Sequence, residues 1–274
     1  MEDIIKAIVL GIVQGLTEFL PISSTAHLKI VPSLFGWEDP GAAFSAVIQI
    51  GTMLAVIIYF LKDLVRIYKK VITNLFEKKF ITDIDSKLGW YIIIGTIPII
   101  IFGLALEKLI ENEFRSLYVI SFSLIFFAII LALAEKFSKK NLDMSELTLP
   151  KALIVGIAQA FALIPGASRS GVTITGGLFA GLNRETAARF SFLLSVPAVL
   201  LSGVYEFYKI LPELNQQGIV SLVIATAFSF LSGILAIELL LRYLRTHSTY
   251  VFIWYRIILG ILLLVLISNN FIQP

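Results

Sequence analysis

The chain has 274 residues, 58% of them hydrophobic and 15% charged, with a mean hydropathy of +0.91. Soluble domains carry about a quarter charged residues, so these numbers exclude a water-soluble globule, whose surface they could not cover. Cysteine is absent and His27 and His247 are the only histidines, which removes disulfides, thiolate chemistry and multi-histidine metal centres. The net charge of +3 and the pI of about 9.0 read as loop charge on a membrane protein, not as a nucleic-acid surface.

Taken in chain order, apolar segments are predicted at 4–20, 41–61, 88–106, 116–134, 152–164, 171–182, 190–208, 219–241 and 251–268. Most are long enough to span a bilayer. Glu2 and Asp3 precede the first of them, where a cleavable signal would carry basic residues. Two segments are not ordinary spans. The run 4–20 stops at Pro21 and leads into Ser23, Ser24, Thr25 and His27, and 152–164 stops at Pro165-Gly166 and leads into Ser168, Arg169, Ser170 and Thr173. Irregular backbone at membrane depth is tolerated only where protein or a water-filled cavity surrounds it. Both regions therefore read as re-entrant helical hairpins.

The halves of the chain also resemble each other. GIVQGLTEFLPISST (11–25) aligns with GIAQAFALIPGASRS (156–170), FSAVIQIGTMLAV (44–56) with FSFLLSVPAVLLS (190–202), and GTIPIIIFGLALE (95–107) with ATAFSFLSGILAI (225–237). Basic residues concentrate in 62–87, 135–151 and 242–249, whereas 107–115 carries Lys108 and Arg115 and 209–218 carries Lys209. With the basic segments taken as cytoplasmic loops, the first hairpin enters from outside and the second from inside. The expected fold is an all-α polytopic membrane protein of about six full spans. It is an inverted-topology repeat whose two hairpins meet near the midplane. It forms a single membrane domain over 1–274, with repeats at about 1–135 and 150–274.

The breaks hold the chemistry. Gln14 and Glu18 are four apart on one helix face, and a carboxylate within an apolar run is a functional hypothesis by default. Ser24 and His27 can face the same way, the minimum for an activated nucleophile; a helix-capping serine beside an unrelated histidine accounts for the same pair. In PGASRSGVT (165–173), Gly166 and Gly171 free the backbone, the helix N-terminus offers amides to an anion, and Arg169 offers a bidentate fork for phosphate. Together these residues suit a phosphate or diphosphate, with a divalent cation bridging to Glu18. Elsewhere, i,i+4 spacing predicts the pairs Glu185–Arg189 and Glu238–Arg242. Trp37, Trp90 and Trp254 fall near segment ends as belt aromatics do, and His247 is assigned no chemistry.

With these residues in view, the chain resembles the undecaprenyl-diphosphatase family of the bacitracin-resistance type over essentially its whole length. QGLTEFLPISSTAH (14–27) is similar to the family's [E/Q]xxxE and PxSSTxH signature, and PGASRSGVT to its PGxSRSxxT. The resemblance implies hydrolysis of undecaprenyl diphosphate, a long-chain prenyl diphosphate lipid, to the monophosphate carrier reused in peptidoglycan synthesis. It implies a divalent cation (Mg2+ or Ca2+) and a multi-pass protein of the bacterial plasma membrane whose site opens to the outer face. By motif position Ser24 is the nucleophile or the residue nearest it, with His27 a rival nucleophile or the general acid/base. Glu18 holds the cation, Arg169 holds the phosphates, and Ser23, Thr25, Ser168, Ser170, Thr173 and Gly166 surround them. The first motif position, often Glu in the family, is Gln14 here, which puts the metal-binding weight on Glu18 and leaves Gln14 a second candidate.

A prenyl-phosphate lipid transporter on the same scaffold is the alternative, because broken helices meeting at the midplane are also a transporter layout. Membrane lipids are the expected surroundings, and a homo-oligomer is compatible with the sequence.

Overall fold

The structure, a computed structural model, describes residues 2–106, 116–213 and 216–272. Eleven α-helices are present among these: α1 (Glu2–Phe19), α2 (Ser24–Phe35), α3 (Gly41–Tyr59), α4 (Leu61–Phe76), α5 (Ile84–Ala105), α6 (Leu117–Phe137), α7 (Leu149–Ala160), α8 (Arg169–Phe179), α9 (Arg184–Ile210), α10 (Gln216–Thr246) and α11 (Tyr250–Ser268). By length and composition α5, α6, α9, α10 and α11 can each cross a membrane, and α3 with α4 makes a sixth candidate bent by 81°. The chain is a multi-pass, all-α membrane protein. Lys108 and Arg115 lie outside the described residues.

The two hairpins are α1–α2 and α7–α8. The open end of the first is marked by Lys6 of α1 over the Trp37 ring that follows α2, 5.7 Å away. The open end of the second is tied by a bridge between Leu142 and Leu182. Their packing partners are exchanged between halves: α1 lies along α10 and α7 along α5, while α3 meets α9 and α6 meets α11. The contact points follow the sequence alignment. A Cβ on Gly11 would sit 2.3 Å from the Ala225 carbonyl oxygen, and one on Gly156 would sit 2.5 Å from that of Gly95. Gly11 aligns with Gly156 and Gly95 with Ala225. Within a membrane, where hydrophobicity does not drive helices together, such small residues let backbones approach closely.

The segment 62–87, read from its charge as a loop, is mostly the amphipathic helix α4. Arg66 pairs with Asp85 at 3.3 Å and Lys70 with Asp83 at 2.9 Å, holding α4 against the start of α5. The Glu238–Arg242 pair forms, and Glu238 also accepts from Tyr59. The Glu185–Arg189 pair does not. Arg189 reaches Asp63 at 3.0 Å and Arg245 reaches Glu185 at 3.0 Å, because partners on neighbouring helices are available to these long side chains. At the same end buried Glu135 accepts from Arg184 and from the Thr249 hydroxyl, linking α6, α9 and the start of α11.

Two stability predictions follow from these contacts. Gly156→Ala should destabilise the protein by about 1–3 kcal/mol through overpacking, whereas Gly103→Ala, whose added Cβ meets nothing closer than 3.8 Å, should not; thermal unfolding in detergent separates them. Asp83 caps α5, its carboxylate accepting from the Ser86 amide, and this bond with Lys70 holds its pKa down from 3.8 to about 2. A depressed folded-state pKa stabilises above the unfolded value and is lost as pH falls through the folded one. Asp83→Ala should therefore cost about 1 kcal/mol at neutral pH, and unfolding curves should converge with wild type as pH falls below that folded-state value.

Candidate active site

Both breaks are built alike. Ser23 caps α2 with φ 76° and accepts from the Ala26 amide (3.3 Å); Ser168 caps α8 with φ 67° and accepts from the Gly171 amide (3.2 Å). Left-handed backbone at a non-glycine residue costs on the order of 1–3 kcal/mol and persists only where its surroundings enforce it. Here a hydroxyl lattice does so. Ser23 shares a hydrogen bond with Thr25 (3.1 Å) and Ser168 with Ser170 (3.2 Å). Thr25 Oγ1 accepts from the Gly166 amide (3.4 Å) and Ser170 Oγ donates to the Leu20 carbonyl (3.1 Å), so each hairpin grips the other's turn. Gly166 has φ 90°, and a Cβ there would lie 2.6 Å from the Ile120 carbonyl oxygen; glycine is required twice over.

Glu18, only 5% exposed, sits where the turns meet. Its Oε2 accepts from Gln14 Nε2 (2.9 Å) and Ser24 Oγ (2.6 Å), and its Oε1 accepts from Arg169 Nη2 (2.8 Å) and Nε (3.3 Å). A carboxylate offers about four lone-pair sites, and four protein donors fill them. Ser24 and Arg169 are the first residues of α2 and α8, so one carboxylate gathers the opening residues of helices from both halves. Two buried atoms nearby have no partner, Arg169 Nη1 and Gln14 Oε1.

A cavity of about 570 Å³ opens from this point. Glu18, Ser23, Ser24, Thr25, Ser168 and Arg169 form its polar end, and Ile99, Ile100, Leu104, Leu163, Val199 and Leu201 its apolar side. The remaining expected site residues do not line it. Ser170 and Thr173, both within α8, are buried away from the cavity, Thr173 donating to the Arg169 carbonyl (2.7 Å) and accepting from Ser191 (2.6 Å). His27 is also turned away. Its Nδ1 is 2.7 Å from the Ser23 carbonyl oxygen and its Nε2 is 2.6 Å from the Tyr255 hydroxyl. A carbonyl can only accept, so Nδ1 carries a proton, and in the neutral ring Nε2 accepts from Tyr255.

Residues 7–262 match the family described as bacitracin resistance protein BacA. The chain belongs to that family. Among its relatives is an undecaprenyl-diphosphatase of Chloroherpeton thalassium, 55% identical over 97% of each chain. One of Chlorobaculum parvum is 50% identical over 99% of this chain and all of its own. One of Myxococcus xanthus is 52% identical over 99% of this chain and 92% of its own.

Two residues that touch the breaks of this family member escape motif reading, Tyr255 and Arg256. They are neighbours in α11, yet Tyr255 engages His27 of the first hairpin and Arg256 donates to the Gly166 and Ala167 carbonyls of the second. Their signal was present: an arginine inside the apolar run 251–268 is as anomalous as Glu18 inside 4–20.

The Glu18–Arg169 pair predicts a double-mutant cycle. Arg169→Met, which leaves a buried carboxylate unpaired, should destabilise by about 3–5 kcal/mol, and adding Glu18→Gln should recover most of that loss in thermal unfolding.

Proposed function

We propose that this chain hydrolyses undecaprenyl diphosphate to undecaprenyl phosphate and inorganic phosphate, returning the lipid carrier to peptidoglycan synthesis. The observation that carries the reading is the Glu18 carboxylate, which holds a hydroxyl (Ser24) and a guanidinium (Arg169) from opposite hairpins at the polar end of an apolar cavity. The family's relatives bear the name of that activity.

Phosphoryl transfer asks a protein mainly for positioning and charge neutralisation. Arg169, with Nη1 unpaired, takes the diphosphate oxygens. Ser24 Oγ attacks the terminal phosphorus; the Oγ–P bond forms as the bridging P–O bond breaks, and undecaprenyl phosphate leaves with the bridging oxygen. The Ser24 proton passes to Glu18 Oε2, to which Ser24 already donates at 2.6 Å. Water then attacks the phosphoserine, inorganic phosphate leaves, and Glu18 returns the proton to Oγ. His27 positions the Ser23 turn and Tyr255 holds its ring; with both nitrogens engaged away from the cavity, it is a weaker nucleophile candidate than Ser24.

A divalent cation, Mg2+ or Ca2+, fits the same end. Gln14 Oε1 is a buried acceptor without a partner on the residue that donates to Glu18. Hard cations take oxygen ligands and share them with substrate phosphates. Among the described residues no three His, Asp or Glu side chains cluster, so Glu18, whose Oε1 is freed when Arg169 turns to the diphosphate, would hold the ion jointly with substrate, with Gln14 behind it as the second candidate. When bound, it supplies charge neutralisation at the diphosphate.

The cavity also supports a site facing outward across the bacterial plasma membrane. Its lining comes from the early part of α3, from Ile99–Leu104 late in α5, and from Ala198–Glu206 late in α9. Those helix ends lie opposite the basic segments 62–87 and 135–151, and basic segments mark the cytoplasmic side.

The deciding measurement is phosphate release from a long-chain prenyl diphosphate by the purified protein in detergent. Release should stop on chelation and return with Mg2+ or Ca2+. Arg169→Ala and Glu18→Ala should lose nearly all turnover, about 10³-fold or more, with the chain still inserted and folded. Ser24→Ala should abolish turnover if the serine is phosphorylated, whereas direct attack by water would leave a measurable rate. A folded Arg169→Ala protein with near-normal turnover would sink the assignment.

A further inference from the structure

Arg256 is the largest fully buried side chain among the described residues. Its Nη2 donates to the carbonyl oxygens of Gly166 (3.1 Å) and Ala167 (2.8 Å), while Nε and Nη1 have no partner. Two carbonyl dipoles satisfy hydrogen bonds but do not cancel a guanidinium charge. A buried, uncompensated cation inside an apolar helix is expensive and marks function.

What that charge acts on is set by its surroundings. Arg256 does not line the cavity, but it sits directly behind the wall that does. The Ala167 carbonyl belongs to the same peptide unit as the Ser168 amide, and Ser168 and Arg169 form that wall. Nη1 lies against the first turn of α8, where a Cβ on Gly171 would come within 2.8 Å of it. A cation at the carbonyl end of a peptide unit polarises it and makes the opposite N–H more positive, adding to the positive N-terminal end of α8.

We infer that Arg256 is a positioning residue for the phosphate end of the site. It fixes the Pro165–Ser168 turn in its left-handed form and, through the peptide units of that turn, strengthens the start of α8 as an anion seat without touching substrate. The inference rests on the phosphatase reading for its kinetic consequence but not for anion binding, and the test uses both.

Wild type, Arg169→Ala and Arg256→Met, as full-length chains in detergent, are compared for turnover of a long-chain prenyl diphosphate and for stabilisation against heat by inorganic pyrophosphate. Arg256→Met should lower kcat by about 100-fold, the size expected when reacting groups are displaced by an ångström or so. KM should rise by no more than about tenfold, because the diphosphate end of the substrate loses the same seat that pyrophosphate loses while tail burial is unchanged, so most of the effect falls on kcat. The apparent affinity for pyrophosphate should fall about tenfold, the ordinary scale of coupling between neighbouring sites. Arg256→Lys, which keeps the charge without the fork, should recover part of both losses. A purely structural arginine would instead lower the unfolding temperature while kcat per folded molecule and pyrophosphate affinity stay at wild type, and that result overturns the inference. Should Arg256→Met not fold, Arg256→Gln, which can still donate to one carbonyl, is held to the same outcomes. A wild-type protein that binds pyrophosphate in an Arg256-dependent way yet releases no phosphate would sink the phosphatase reading alone.

Discussion

Everything at the centre of this molecule is arranged around one largely buried carboxylate. Glu18 survives there because Gln14, Ser24 and Arg169 fill its lone-pair sites. Such a group leaves little latitude elsewhere. The hairpins must end at the same depth, their turns must interlock through Thr25 and Ser170, and the limbs must pack closely enough on α10 and α5 to bring the ends together. Buried ion pairs are poor sources of net stability compared with well-packed apolar residues. The strained serines and the close glycines are costs borne to keep a charged pair inside a membrane, which is why the pair is better understood as chemistry than as architecture.

The arrangement is nearly symmetric and its departures from symmetry are where it becomes useful. In the register that sets Gly11 on Gly156, the caps Ser23 and Ser168 coincide, and so do the hydroxyls of Thr25 and Ser170. Ser24 then coincides with Arg169, and Glu18 with Leu163. One scaffold position carries a hydroxyl in one half and a cation in the other, and only one half supplies the acid. Two equivalent helix starts thus become a site with a direction, a hydroxyl on one side and a guanidinium on the other.

Much of this was legible in the sequence because prolines and charges interrupt apolar runs in a conspicuous way. Pro21 and Pro165 mark the turns, and Glu18 and Arg169 stand out against their neighbours. What stayed hidden has physical reasons. The basic residues of 62–87 signal water but do not distinguish a loop from an amphipathic helix, so α4 went unseen. Glu185 and Arg189 have ideal helical spacing, yet tertiary partners on α4 and α10 outcompete a local pair of small value. The spacing of Ser24 and His27 allows a shared face, but the direction of an imidazole depends on the Tyr255 hydroxyl more than two hundred residues away. Arg256 lacks a motif of its own; its place inside an apolar run is its one sequence signal, and what it touches shows only in the fold.

The internal neutralisation of Arg169 bears on which anions can stay. In the resting site its fork already carries a carboxylate, so a visiting anion gains only the difference between its own attraction and that of Glu18. A singly charged or weakly anchored anion offers little over the incumbent, whereas a diphosphate, with more charge and a second phosphate, offers a good deal. The same comparison runs in reverse after cleavage, when each product carries a single phosphate and Glu18 can reclaim its partner. In the proposed reaction the ion pair is thus a threshold that favours the diphosphate over either product.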